Sequence, residues 1–250
     1  MCSFTCDEKG TAMTETTSGR VLVFGDDMRI FLAIVRSLGR AGKEVHVVPF
    51  DWHAPALTAL SSSPVPWTTT ALFDYLRNGY SREHGVAGGS MTQVVKSLAN
   101  VSDDDIQAMA TYLASFSVPL VTTADQAAKI VAAADLPRVT SQPHGERLFQ
   151  GACSSCHHTG DGPKLLGLNI PLALATSMHA DTPNNLIRTI FDGVRSPAHR
   201  DIGFMAGFRD HFNNAQMTDL VAYLRERFAP GRSAWSDVPE TVNALRQAQP

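Results

Sequence analysis

Apolar positions in this chain recur mostly at helical spacing, and at strand spacing in one stretch only. Val21-Leu22-Val23-Phe24 is a short apolar run of strand character, and 44–48 is a second. Between them Ile30, Phe31, Ile34, Val35 and Leu38 share one helical face, entered at Asp26 and Asp27 and left at Gly42. This pattern predicts a β-α-β unit over 20–60, behind a polar leader at 1–19. A helix is expected at 70–78, then a loop at 79–90 leading to Met91. Another helix starts behind Ser102, whose hydroxyl can cap it ahead of three aspartates, with Ile106, Met109, Ala110 and Leu113 inward. Three more are expected: 144–152 with Gly145 and Phe149 four apart, 183–192, and a last helix to Phe228 capped by Asn213 or Asn214. Met217, Leu220, Val221, Leu224 and Phe228 form the inner stripe of that last helix. Residues 119–142, alanine-rich with Pro119 and Pro137, read as an interdomain linker with room for helical pieces. Residues 193–207 read as loop and 231–250 as a tail. The fold class is mainly α.

Composition changes little. The 250 residues are 44% hydrophobic and 18% charged, as in an ordinary globular protein. A net charge of −3 gives no reason to expect nucleic acid or an anionic membrane as partner. No run of eighteen apolar residues suggests a transmembrane helix, and the first twenty residues have neither a basic start nor an apolar core.

The candidate chemistry lies in Cys153-Ser154-Ser155-Cys156-His157. Two cysteines spaced by two residues with a histidine directly after form a c-type haem attachment motif. Two thiols reach the two vinyl groups of one porphyrin, and the adjacent imidazole lies under the iron. A zinc half-site would want a second ligand pair, but the other cysteines, Cys2 and Cys6, sit at the far terminus. A redox dithiol would want a βαβ frame around it. Haem c is therefore expected, one per chain. Attachment of such a haem normally takes place outside the cytoplasm, so a periplasmic location is expected although no signal peptide is visible. A truncated or fused chain would stay cytoplasmic.

The chain also repeats itself. Leu72, Gly79 and Met91 match Leu186, Gly193 and Met205 at an offset of 114 residues, and Tyr112-Leu113 aligns with Tyr223-Leu224 after a small slip. Residues 61–118 thus correspond to the second half of a domain at 143–230. The offset carries the haem motif back to Gly39, Gly42 and Lys43, where there is neither cysteine nor histidine.

GERLFQGACSSCHHTGDGP, DTPNNLIRTIFDGVR, FMAGF and QMTDLVAYLRERF together resemble a class I cytochrome c domain. More narrowly, they are similar to the last domain in the multihaem cytochrome c subunits of bacterial periplasmic alcohol, aldehyde, gluconate and nicotinate-type dehydrogenases. Residues 66–116 are similar to the end of the preceding domain in such subunits. Residues 20–50 resemble the start of an ATP-grasp ligase, without a glycine-rich phosphate loop, since two aspartates follow Gly25. Such subunits usually carry several haem motifs, and this chain has one.

The resemblance implies thioether bonds at Cys153 and Cys156, with His157 and Met205 as the two iron ligands. Pro163 would offer its carbonyl to the other nitrogen of His157. Ala206 stands where a proline usually follows the distal methionine. Met178 and Met217 are weaker ligand candidates, Met217 being expected in the core. His158, His179, His199 and His211 are expected on the surface. Met91 would be the distal ligand of a lost haem, and the β-α-β unit is expected to cover the face its half-domain leaves open. The implied function is one-electron transfer, from a molybdenum, flavin or quinone type dehydrogenase subunit to a downstream acceptor, with no catalysis by the chain alone. Membrane association would come through the partner. Two other readings stay open: a five-coordinate haem for gas binding or peroxidase chemistry, and a nucleotide-binding or ligase-like fragment fused to a cytochrome remnant.

Overall fold

The computed structural model describes residues 61–88, 90–117, 123–136, 138–157, 171–194 and 204–248, with the strand segments 5–6, 12–13, 20–23 and 44–47 and residue 57. It is mostly helical with little strand. The elements in order are β1 (Thr5–Cys6), β2 (Ala12–Met13), β3 (Arg20–Val23), β4 (Glu44–Val47), α1 (Thr69–Asn78), β5 (Tyr80–Ser81), β6 (Gly85–Val86), α2 (Ser90–Leu98), α3 (Asp103–Ala114) and α4 (Thr123–Asp135). There follow α5 (Pro143–Ala152), a 3-10 turn (Leu172–Leu174), α6 (Thr176–His179), α7 (Asn184–Asp192), α8 (Asn214–Phe228) and α9 (Val238–Gln247).

β3 and β4 pair in parallel, Val21 opposite Val45 and Val23 opposite Val47. The helix expected between them, the ligase-like stretch beyond these strands and Gly42 lie outside the described residues. β3 touches α2.

Residues 61–117 build one core from α1, α2 and α3, with Leu72, Tyr75, Met91, Val95, Ile106 and Leu113 buried in it. Thr68 caps α1 by accepting from the Ala71 N–H, and Ser102 caps α3 by accepting from the Asp105 N–H. Three aspartates in the first turn of α3 add a favourable charge at its positive end. Arg77 ties the end of α1 to the next turn: Nη2 donates to Val101 O at 2.7 Å and pairs with Asp103 at 2.6 Å. Met91, expected just after a loop, stands instead on α2. There Met91, Val95 and Leu98 recur at i, i+4 and i+7 and are all buried.

The second core holds Phe149, Met178, Leu186, Ile187, Ile190, Phe191, Met217, Leu220, Val221, Leu224 and Phe228. Two stretches expected as linker and tail belong to it. Within 119–142, α4 places Ala134 in the core with Ile130 against it. Within 231–250, α9 adds Val238, Val242 and Leu245. Both helices pack against neighbours, α4 on the 3-10 turn and α9 on α7 and α8. Proline and alanine content suggests loop, but the apolar residues keep helical spacing, and burial of that face outweighs a weak local signal.

The two cores meet. Val65, Ala127 and Leu174 form a small apolar cluster between them. The Thr176 N–H donates to His84 O at 3.1 Å, Gln126 Nε2 to Pro64 O at 3.1 Å, and Arg232 Nη2 to Ser62 O at 2.8 Å.

Candidate haem site

α5 delivers the cysteine motif. Pro143 stands at its start, where the missing N–H costs nothing, and Glu146 follows in the first turn. The helix ends as the Cys153 N–H donates to Phe149 O at 2.9 Å. Cys153 O then accepts from the N–H groups of both Cys156 (3.1 Å) and His157 (2.8 Å). One carbonyl therefore gathers the two thiols and the imidazole into a single turn. Both thiols are free and half-buried. Burial, and secondarily the neighbouring Cys156, pushes the Cys153 thiol up to about 11, so it is protonated at neutral pH. His157 is half-buried with Nδ1 inside. Pro163, His158 and His199 lie outside the described residues.

The turn is anchored by the crossing of α5 on α8. A Cβ at Gly145 would lie 2.6 Å from Tyr223 Cβ and would run into the Asp219 carbonyl, so only glycine lets the helices approach this closely. Phe149 fills the space beside it, with its ring 5.5 Å from those of Tyr223 and Phe228. α8 itself starts in a capping box: Asn213 accepts from the Gln216 N–H at 2.9 Å, and Gln216 Oε1 accepts from the Asn213 N–H at 3.0 Å.

Met205 is presented differently. Its backbone exchanges both hydrogen bonds with Val194, at 2.9 and 3.1 Å, just beyond the end of α7. Gly193 makes this approach feasible. Its φ of 69° and ψ of −168° lie in a region essentially confined to glycine, and a Cβ there would sit 2.6 Å from Gly207 N. Space is tight at Gly207 too, where an added Cβ would sit 2.6 Å from Phe191 O. Met205 is half-buried, and it and Cys153 pack against the same apolar core.

Met178 and Met217 are both core residues. For Met217 that is the expected place. His179 departs from its expected surface position: it is buried, its Nε2 bonded to Ala173 O at 2.8 Å, and burial lowers its affinity for a proton. His211 is exposed beside Phe208. His84 carries no sequence signal, yet it is buried with its ring stacked 3.5 Å from Trp67, and Nδ1 meets Ser63 Oγ at 2.9 Å.

The donor set suits a c-type haem: two free thiols and an imidazole in one turn, and a thioether sulfur on a separate segment, with Cys153 and Met205 each packed against the same apolar core. Residues 141–224 match the family model described as Cytochrome C oxidase, cbb3-type, subunit III. The C-terminal region is a cytochrome c domain.

Several relatives are components of dehydrogenases by name. The chain is 42% identical over 195 residues to a nicotinate dehydrogenase component of Pseudomonas putida, across 78% of this chain and 16% of that one. It is 28% identical over 216 residues to the cytochrome c subunit of the alcohol dehydrogenase (quinone) of Gluconobacter oxydans, across 82% and 45%. To the gluconate 2-dehydrogenase cytochrome c subunit of Pantoea cypripedii it is 32% identical over 179 residues, across 67% and 39%. The chain spans less than half the length of each of these relatives. Among the described residues no helix is long and apolar enough to cross a membrane.

Proposed function

We propose that the cytochrome c domain holds one haem c and passes electrons singly, accepting them from a dehydrogenase subunit and handing them to a downstream acceptor. In this reading Cys153 and Cys156 hold the haem as thioethers. His157 and Met205 would be its iron ligands, and the Pro163 carbonyl would accept from His157. The observation that carries the reading is that the cysteine turn and Met205 pack against one and the same apolar core. The haem supplies a one-electron couple whose potential a His/Met ligand pair raises, with no coordination position left for substrate. The chain's own residues supply rigidity. The α5–α8 crossing fixes the cysteine turn, and the Val194 bridge fixes Met205.

The relatives, which belong to nicotinate, alcohol and gluconate dehydrogenases by name, support a dehydrogenase partner. Its type, molybdenum, flavin or quinone, stays part of the proposal, as does a periplasmic location. The half-domain at 61–118, with its β-α-β neighbour, would act as a scaffold that carries no haem of its own.

The test is expression with an export signal and the haem-maturation machinery, followed by a haem stain on a denaturing gel. Stain is expected in the wild type and none in the double variant Cys153→Ser, Cys156→Ser. The oxidised wild type is expected to show a methionine-to-iron charge-transfer band that Met205→Ala removes. A stained protein without that band would overturn the electron-transfer reading in favour of a five-coordinate haem.

A further inference from the structure

α9 lies beyond the part of the chain that matches the family model, which ends at residue 224. Its inward residues Val238, Val242 and Leu245 pack it onto α7 and α8. Its last turn carries Arg246, and the placement of that side chain is specific. Phe191, fully buried at the end of α7, has two guanidinium groups over its ring, those of Arg209 and Arg246, each 4.7 Å from the centroid. Such contacts orient both cations against one fixed surface.

Arg209 is four residues after Met205. Its N–H donates to Phe191 O at 3.2 Å, Nη2 pairs with Asp192 at 2.7 Å, and Nη1 donates to Leu245 O on α9 at 2.9 Å. Arg246 reaches back to the same segment. Nη1 donates to Arg209 O, Nη2 to Phe212 O at 2.7 Å, and Nε to Asn214 Oδ1. All three nitrogens of the guanidinium are thus committed between residues 209 and 214. The segment from Met205 to Asn214 is held on one side by the end of α7, through the Val194 bridge and the Phe208 N–H to Ile190 O at 2.8 Å. On the other side it is held by α9.

We propose that Arg246 is a positioning residue for Met205: docking of α9 through Arg246 holds the segment that presents the methionine sulfur, and so sets how firmly that sulfur stays on the iron. This rests on the assignment of Met205 as the distal ligand. A planar fork with several fixed donors can hold three acceptors at once, which a lysine cannot. Hydrogen bonds made by a charged donor are also the stronger class. With Arg246 removed, Arg209 keeps its ion pair, but the carbonyls of Arg209 and Phe212 lose their donor and the segment is free to shift.

The experiment uses the full haem-loaded chain and added imidazole, which takes the iron position only when Met205 has left it. Apparent imidazole affinity therefore reports the fraction of molecules with the methionine detached. Arg246→Ala is expected to raise that affinity about tenfold or more, in line with loss of a charge-assisted hydrogen bond. The charge-transfer band should weaken and the reduction potential fall. Arg246→Lys should recover only part of the loss. Asn214→Ala removes the acceptor of Arg246 Nε and the Asn214 Nδ2 bond to Asn243 of α9 at 3.3 Å without touching the core, and should raise imidazole affinity by a smaller factor, about threefold. It decides the matter if Arg246→Ala does not fold. A residue that only supported the fold would lower the unfolding midpoint and leave imidazole affinity and potential of the folded protein unchanged. That outcome in these variants overturns the inference. Absence of the band in the wild type would overturn the Met205 assignment, and this inference with it.

Discussion

His84 offers the most direct test of how the two cores are joined. The ring is buried, stacked on Trp67, and its Nε2 has no hydrogen-bond partner among the described residues, while its backbone carbonyl receives the Thr176 N–H from the cytochrome c domain. Burial pushes its pKa down from 6.5 to about 3, with the Pro66 carbonyl pulling the other way. The folded state therefore keeps a neutral ring at a pH where the unfolded chain would already be protonated. Above 6.5 both states are neutral, and the group adds no pH dependence. Between 6.5 and about 3 the unfolded state binds the extra proton, so stability falls by about 1.4 kcal/mol per pH unit. Over the whole window the loss is on the order of 4–5 kcal/mol, a large share of the margin of a small domain. Urea denaturation at pH 7 and pH 4.5 would measure it, with His84→Phe as the comparison. Phenylalanine keeps the stack on Trp67, gives up the Ser63 contact at a cost of about 1 kcal/mol, and cannot titrate. The wild type should lose roughly 3 kcal/mol more than the variant between these pH values. Proton NMR of the His84 ring should show it titrating far below 5. Equal pH slopes in the two proteins, or a ring that titrates near 6.5, would refute the reasoning.

Two glycines give sharper local tests. Gly145→Val would push a branched side chain into the Asp219 carbonyl and Tyr223, costing about 1–3 kcal/mol in urea denaturation of the cytochrome c domain and displacing the cysteine turn. An unchanged midpoint would mean the helices do not cross so closely. Gly193→Ala forces a Cβ into a backbone region that disfavours it, at a cost of about 1–3 kcal/mol. It should also weaken the methionine charge-transfer band, and a band of full strength would count against the Val194 bridge as the support of Met205.

How much of the fold and the site is legible depends on whether the information is contiguous in sequence. The cysteine turn can be read in full, because its two thiols and its imidazole lie within five consecutive residues. α8 can be read from Asn213 with Gln216 three residues on, followed by an apolar stripe that is buried throughout. α4 is harder, since Ala127 and Ala134 carry its buried face and alanine signals helix and surface alike. α9 has a readable stripe at Val238, Val242 and Leu245, obscured by the prolines around it. The Arg209–Phe191–Arg246 stack has no sequence signal at all. Its three members come from three separate elements, and only the packing of α9 on α7 brings them together. His84 escapes for the same reason, because its burial depends on Trp67 and on a segment more than ninety residues away.

The internal repeat shows where equal sequence stops meaning equal structure. Gly79 and Gly193 end corresponding helices in the same way, each N–H donating four residues back, to Tyr75 O at 2.9 Å and to Thr189 O at 3.0 Å. Their φ values are 72° and 69°. Their ψ values are not alike: 17° at Gly79 and −168° at Gly193. A half-turn about one bond sends the following chain in opposite directions. After Gly193 the chain runs out to pair Val194 with Met205. After Gly79 it folds back at once, and Tyr80 pairs with Val86 in a short hairpin. Met91 is left out of that pairing. It joins α2 instead and packs in one core with Leu72, Val95 and Ile106, so the position that is half-buried beside a bridge in one half fills a core in the other. A methionine suits either role, being unbranched and adaptable. The half-domain has thus filled with its own core the position that corresponds to Met205, and Met91 could leave it only at the expense of that core.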